Sequence, residues 1–249
     1  MKVERKFKFG PTNRMVYVYE KERWAQNARS EKWGVNRRSF TEPKMFLLLG
    51  TGRTSSKFLG HVMRSWGYDV QHEKTGEHGS STHFFHADAD WHPMFPWMTD
   101  CAHVGERMSD YDFKNKIHII RNPLTCIPSI GHIFGTIDWE YAEDTGILPP
   151  DSRSMSKYHR IMTYYYELNR RAAKMCDVTI RMEELKFVLP DILREITGFV
   201  LPWPKDITPK NKGTGYRRSE PTTYAKLEEI EPTLAKSIRQ MAKEYGYEV

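Results

Sequence analysis

The stretch MFLLLGTGRTSSKFLG, residues 45–60, decides the fold of this chain. It begins with five consecutive apolar side chains, which is typical of a short strand buried on both faces of a parallel sheet. A turn with two glycines follows, in which Ser55 and Ser56 are predicted N-caps. Apolar residues then recur at helical spacing, and Gly67 lies where the helix is expected to end. Residues 68–70, Tyr-Asp-Val, predict a second short strand, and strand, turn, helix and strand in this order predict a βαβ unit.

The same order of elements recurs further along the chain. Residues 117–120 form a second apolar strand, and Pro123 beyond it suits the first position of a helix. An apolar stripe opposite a charged face predicts a long amphipathic helix over residues 157–176, with a strand at 178–180 and a last helix at 234–245. Strands that alternate with helices predict an α/β fold of three layers, a mostly parallel sheet with helices on both faces.

Charge is distributed unevenly along the 249 residues. Residues 1–44 carry 12 basic and 5 acidic side chains, whereas the remaining 205 residues carry 26 and 27. We therefore predict a basic N-terminal extension over 1–44 and a nearly neutral domain over 45–249. Non-specific nucleic-acid binding requires Lys and Arg spread along a whole face, so no nucleic-acid partner is expected.

Composition narrows the class of protein. Hydrophobic residues make up 39% of the chain, enough for a core, which argues against disorder. No apolar run approaches the ~18 residues needed to span a bilayer. The charged start lacks the apolar segment of a signal peptide, and Cys101, Cys126 and Cys176 are too few for a disulfide framework. A soluble cytoplasmic protein is expected, with its oligomeric state left open.

The turn after the first strand has the chemistry of an anion-binding loop. Ligands of open α/β sheets bind beyond the carboxyl ends of the strands, where this turn lies. Gly50 and Gly52 let the backbone approach an anion, and the N–H groups of the following helix point at it. The candidate side-chain contacts are basic or carry hydroxyls: Thr51, Arg53, Thr54, Ser55, Ser56 and Lys57. Alternatively, the glycines serve only a tight strand-to-helix turn.

A nucleoside-triphosphate P-loop has the pattern G-x-x-x-x-G-K followed by Ser or Thr. Counted from Gly50, Ser55 stands where the second glycine belongs and Ser56 where the lysine belongs. The pattern fails at both positions. One function remains possible for a degenerate P-loop of this kind: the chain would be a nucleotide kinase or a non-catalytic nucleotide-binding protein. We keep this as the alternative function.

Residues 51–59 resemble the 5′-phosphosulfate loop of sulfotransferases, the enzymes that use 3′-phosphoadenosine 5′-phosphosulfate. That loop has Lys or Arg, then Ser-Gly-Thr-Thr or similar, then an aromatic residue and leucine. Arg53 and Phe58 occupy the basic and aromatic positions. Ser55 replaces the usual glycine, and Lys57 replaces the usual second Thr or Ser.

A second sulfotransferase signature binds the 3′-phosphate: a strand ends in Arg, Asp or Asn and Pro follow, and Ser stands eight residues after the Arg. Arg121, Asn122, Pro123 and Ser129 have this spacing. Residues 181–185, RMEEL, are similar to the family's Arg-Tyr-Glu-Asp-Leu stretch after a strand. The pattern is closest to the carbohydrate sulfotransferases, and it implies a P-loop NTPase-like sulfotransferase fold for the domain.

The resemblance implies in-line transfer of a sulfuryl group to an acceptor hydroxyl, with 3′-phosphoadenosine 5′-phosphate as product and without a metal. Arg53 is then expected at the bridging and leaving oxygens, and Arg121 with Ser129 at the 3′-phosphate. The family's base is a Glu about twenty residues after the catalytic basic residue, which selects Glu73. His72 is the alternative base, because imidazole titrates near neutral pH.

Residues 210–218 form a late segment that is basic and contains glycines. The family often closes such a segment over the 3′-phosphate, so Lys212 and Gly213 are candidate cofactor contacts; a solvated loop is the alternative. No motif identifies the acceptor. The loop tryptophans Trp91 and Trp97 and the Glu-base spacing favour a carbohydrate, with another small molecule as the alternative.

Two other patterns are set aside. His83 and His86 have a metal-ligand spacing, but no complete ligand set follows them. Cys101 and Arg107 fit the C-x5-R loop of phosphatases, but the residues before Cys101 do not form the hydrophobic strand that this loop follows.

Overall fold

The computed structural model describes residues 5–9, 14–18, 43–72, 76–82, 112–134, 139–144, 146–205, 207 and 220–249. Within these ranges the chain is an α/β protein with a seven-stranded sheet. The strands are β1 (Arg5–Phe9), β2 (Arg14–Val18), β3 (Lys44–Gly50), β4 (Val70–His72), β5 (Gly79–Thr82), β6 (Phe113–Ile120) and β7 (Val178–Arg181).

Helices connect and cover these strands. They are α1 (Ser56–Ser65), α2 (Pro123–Gly131), α3 (Trp139–Asp144), α4 (Lys157–Met175), α5 (Leu185–Thr197), α6 (Tyr224–Ile230) and α7 (Pro232–Glu244). A short 3₁₀ turn, Met182–Glu184, links β7 to α5. None of the described helices has the length and apolar character that a bilayer span requires.

The sheet has the strand order β1-β2-β7-β6-β3-β5-β4. The five strands from β7 to β4 are all parallel, which confirms the predicted parallel sheet. β1 and β2 form an antiparallel hairpin that joins this sheet where Val18 lies opposite Val178. The basic extension thus contributes the two outermost strands on one side.

The central strand β3 is buried on both faces, as its apolar run predicts. Phe46 and Leu48 face α1 and α5, whereas Leu47 and Leu49 face the end of α4. The helices α2, α4, α6 and α7 form a second, larger core on the α4 side. Helices therefore cover both faces of the sheet, as predicted.

The switch in chain direction at the centre of the sheet creates a crevice. From β3 the chain enters α1 on one face and continues to β4 and β5, to one side of β3. From β6, on the other side of β3, it enters α2 and α4 on the opposite face and continues to β7. Neighbouring strands whose connections leave on opposite faces open a crevice at their carboxyl ends, where ligands of α/β sheets bind.

Two short strands differ from the sequence-based expectation. A strand was expected over residues 68–70, but β4 begins only at Val70. β5 consists of Gly-Ser-Ser-Thr, without the apolar or β-branched run that marks a strand. Its register beside β3 explains why glycine is required there, because a Cβ on Gly79 would collide with the Phe46 carbonyl.

Candidate functional site

The predicted anion loop lies at the crevice between β3 and β6. Gly50 is the last residue of β3 and lies opposite Ile119 of β6. A Cβ on Gly50 would collide with Thr54 Oγ1 and would lie 2.6 Å from the Ile119 carbonyl oxygen. Glycine at this position therefore allows the loop to fold back tightly over the end of the sheet.

Two residues of this loop adopt left-handed backbone conformations. Arg53 has a φ of 72° and Ser55 a φ of 68°, and no other described non-glycine residue has a positive φ. Such conformations cost free energy outside glycine and persist where surrounding contacts enforce them. Here Thr54 supplies the contacts, because its backbone N–H and its Oγ1 both donate to the Thr51 carbonyl, at 3.2 and 2.6 Å.

The structure brings the two sequence signatures together. Arg53 Nε donates to Ser129 Oγ at 3.0 Å, and Arg121 Nη1 donates to the Arg53 carbonyl at 3.1 Å. Ser129 lies in α2 and is buried, whereas Arg53 and Arg121 are half-buried. Arg121, 68 residues further along the chain, therefore holds the backbone of the loop, and the Arg53 side chain of the same loop reaches Ser129.

α1 begins directly after this loop, at Ser56. Ser55 occupies the predicted N-cap position, but no side chain in the described ranges caps the helix, and Ser55 Oγ donates to Met182 Sδ at 3.3 Å instead. The first N–H groups of an α-helix have no intrahelical partner and attract anions. Lys57 lies exposed in the first turn and Phe58 is half-buried beside it.

Cys126 is a site residue for which the sequence carries no signal. Its buried Sγ lies 3.6 Å from Thr51 Oγ1 and 3.7 Å from the Gly52 carbonyl, which it reaches from α2. Burial raises the pKa of this thiol to about 11, and the nearby Arg121 opposes that rise only in part. Cys126 is therefore a neutral packing contact between α2 and the loop.

His72 lies at the correct edge of the sheet but away from the loop. It is the last residue of β4, and its Nδ1 lies 3.3 Å from the Ser81 carbonyl oxygen. Two strand spacings, about 10 Å, separate β4 from β3. Glu73, the other candidate base, lies outside the described residues. Residues 76–78 lie at the opposite end of β4 from His72. The backbone N–H of His78 donates to the carbonyl of Asp69, which directly precedes the first residue of β4.

The remaining residues singled out in the sequence lie outside the described residues: Lys212, Gly213, Trp91, Trp97, His83, His86, Cys101 and Arg107. In the part of the chain that is described, no group of three or more His, Cys, Asp or Glu side chains could hold a metal ion.

The site can bind anionic groups at two adjacent places. Arg53 and the N-terminus of α1 form one place, and Arg121 with Ser129 forms the other. No carboxylate occupies the first turn of α1, so this turn itself does not neutralise the positive end of the helix dipole. No family model and no curated protein matches the chain.

Proposed function

We propose that the protein is a sulfotransferase that transfers a sulfuryl group from 3′-phosphoadenosine 5′-phosphosulfate to an acceptor hydroxyl. The observation that carries the proposal is the pair of hydrogen bonds from Arg53 to Ser129 and from Arg121 to the Arg53 carbonyl. They join the two segments that resemble the donor-binding loops of that family. The crevice between β3 and β6 is also where an α/β sheet places a nucleotide.

Each end of the donor has chemically suitable partners. Arg121 offers five N–H donors in a planar fork, so it can hold the Arg53 carbonyl and a phosphate at the same time. The uncapped N-terminus of α1, with Arg53, suits the 5′-phosphosulfate. Because Gly50 has no Cβ, Thr54 and the Ile119 carbonyl can approach it closely. The loop can therefore lie directly over the strand ends.

When bound, the donor supplies an activated sulfuryl group, whose bond to the bridging phosphate oxygen breaks as the acceptor oxygen bonds to sulfur. Arg53 neutralises the charge that develops on that bridging oxygen. The base, Glu73 or His72, takes the proton of the acceptor hydroxyl. No metal is needed for these steps, and a carbohydrate hydroxyl is the acceptor that we favour.

The contact between Arg53 and Ser129 links the residues that are assigned to the two ends of the donor. Arg53 Nε donates to Ser129 Oγ at 3.0 Å. A guanidinium has five N–H donors, so the Nη groups of Arg53 can serve the bridging oxygen while Nε holds Ser129. Ser129 in turn can donate to a 3′-phosphate while it accepts from Arg53.

The test is calorimetric titration with 3′-phosphoadenosine 5′-phosphate and with adenosine 5′-phosphate, which lacks the 3′-phosphate. The wild-type protein should bind the first saturably and more tightly. Arg121→Ala should weaken that binding by about 10- to 100-fold, as for loss of a hydrogen bond to a charged group, and should change adenosine 5′-phosphate binding little. Arg194→Ala is the matched control, because that exposed arginine lies on α5 and pairs with Asp191.

Two outcomes would refute the proposal. One is the absence of saturable binding of 3′-phosphoadenosine 5′-phosphate to the wild-type protein. The other is magnesium-dependent binding of ATP with higher affinity, which would favour the nucleotide-kinase alternative. A screen of acceptors with labelled sulfate donor separates an enzyme from a non-catalytic nucleotide-binding protein, since only the enzyme forms a labelled product.

A further inference from the structure

The backbone at the end of β6 is held by side chains from three separate elements. The groups held are three backbone polar groups, one each from the consecutive residues Ile120, Arg121 and Asn122. Tyr247 Oη donates to the Ile120 carbonyl at 3.2 Å, Tyr165 Oη donates to the Arg121 carbonyl at 2.6 Å, and Glu183 Oε1 accepts from the Asn122 N–H at 3.1 Å. The three side chains come from the C-terminal tail, from α4 and from the turn after β7.

Tyr247 links two of these contacts. Its hydroxyl also lies 2.8 Å from Glu183 Oε2, so its single proton is shared between that carboxylate and the Ile120 carbonyl. Burial raises the pKa of Tyr247, and the neighbouring Glu183 raises it further, so the hydroxyl stays protonated and remains a donor. The side chain of Tyr247 is buried, although it lies only two residues from the end of the chain.

Arg181 fixes the tail that carries Tyr247. Its guanidinium lies 5.4 Å above the Tyr247 ring and donates to the Gly246 carbonyl, while it is paired with Glu184. The tail is therefore anchored to the end of β7, beside β6. Without this anchor, part of the benefit of the Tyr247 contact would be lost to conformational entropy.

These contacts restrict the backbone on both sides of the Arg121 side chain. Two peptide groups flank the Arg121 Cα. The first contains the Ile120 carbonyl, and the second contains the Arg121 carbonyl and the Asn122 N–H. With both peptide groups held, the Cα–Cβ direction of Arg121 is fixed before a ligand arrives, and the hydrogen bond from its Nη1 to the Arg53 carbonyl holds the far end of the side chain. Such pre-organisation by supporting residues increases affinity and specificity without contact to the ligand.

We propose that Tyr247 is a positioning residue for Arg121, and that the C-terminal tail thereby sets the affinity of the site for the 3′-phosphate of the donor. The proposal rests on the proposed function, because that function assigns Arg121 to the 3′-phosphate. The Tyr247 hydroxyl acts through the backbone carbonyl of Ile120 and the carboxylate of Glu183.

The test compares Tyr247→Phe with the wild-type protein in titrations with 3′-phosphoadenosine 5′-phosphate and adenosine 5′-phosphate. Tyr247→Phe should weaken binding of the first ligand by about 3- to 10-fold, the range for loss of one hydrogen bond, and leave the second unchanged. In an Arg121→Ala background the same substitution should have no further effect. Tyr224→Phe is the control, because the buried Tyr224 hydroxyl has no hydrogen-bond partner among the described residues.

Equal weakening of both ligands, or an undiminished effect in the Arg121→Ala background, would overturn the proposal, because either would mean that Tyr247 acts on general stability. If the wild-type protein binds neither ligand, the proposed function fails and amide hydrogen exchange decides this proposal separately. Faster exchange of the Asn122 N–H in Tyr247→Phe would then support the proposal that Tyr247 holds the backbone around Arg121. Unchanged exchange would refute it.

Discussion

The turn from β3 into α1 and the turn from β6 into α2 lie side by side at the crevice, but their helices begin differently. Residues 51–55 contain two left-handed non-glycine residues, and no described side chain caps α1. In the second turn Asn122 has a negative φ of −48°, and its Oδ1 accepts from the Leu124 N–H at 2.9 Å. Pro123 follows at the first helical position, where its missing N–H costs nothing.

The difference indicates separate tasks for the two turns. The N-terminus of α2 satisfies its own N–H groups, so the β6 turn offers a ligand only side chains, above all Arg121. The N-terminus of α1 leaves its backbone donors for a ligand, and the strained loop holds them in place. The first turn therefore suits a group that changes charge during a reaction, and the second suits a group that is only bound.

The largest expected effect is on chemistry at the first turn. If the proposed function is correct, Arg53→Ala should lower turnover by about 100- to 1000-fold, as for removal of one donor to a developing negative charge. Binding of 3′-phosphoadenosine 5′-phosphate should fall much less than in Arg121→Ala. Turnover is measured with labelled donor and the best acceptor from the screen. The opposite pattern, a binding defect in Arg53→Ala and a turnover defect in Arg121→Ala, would reverse the assignment of the two turns.

The next effect is on stability. Gly50→Ala should destabilise the fold by about 1–3 kcal/mol, because the new methyl group must displace Thr54 and the Ile119 carbonyl, which is backbone and cannot rotate away. The measurement is the free energy of unfolding in urea. In Gly131→Ala, the control, the methyl group would meet Tyr158 at an ordinary distance of 3.5 Å. That helical substitution should be neutral or stabilise by up to about 1 kcal/mol, and a similar loss in both variants would contradict the expectation.

A smaller effect distinguishes the two helix starts. Asn122→Ala removes the cap of α2 and should cost about 1 kcal/mol. Ser55→Ala removes no cap, so it should cost only a few tenths of a kcal/mol, since only the contact with Met182 is lost. Both are measured as shifts in the midpoint of urea unfolding. Equal costs would mean that Ser55 caps α1 in solution and that the contrast between the turns is wrong.

Periodicity and glycine placement predicted most of the fold from the sequence. The strand at residues 45–49, the long helix from Lys157 and the strand at 178–180 lie within one or two residues of the observed elements. These signals succeed because burial on two faces or on one helical stripe requires a particular pattern of apolar side chains. β5 was missed because it is held by its position beside β3, and its residues Gly-Ser-Ser-Thr carry no such pattern.

The sequence predicted the motif residues of the candidate site but not the residues that support them. Spacing selected Arg53, Arg121 and Ser129, and the structure brings these three together. The supporting residues Cys126 and Tyr247 were not identified, because their contacts join positions 74 and 127 residues apart in sequence. A buried tyrosine or cysteine has the same local pattern whether it supports a site or only fills a core.

The smallest expected effect concerns Ser55, which stands where the resembling loops have glycine. Its φ of 68° is a conformation that glycine adopts without strain, so Ser55→Gly should relieve about 1 kcal/mol of backbone strain. Part of that gain is offset, because glycine also loses more backbone freedom on folding. The net stabilisation should be a few tenths of a kcal/mol in urea unfolding, against a loss of about 0.5 kcal/mol for His61→Gly in the interior of α1. A loss in Ser55→Gly as large as in His61→Gly would show that Ser55 is not left-handed in solution, and the first turn would then lack the strain that sets it apart from the second.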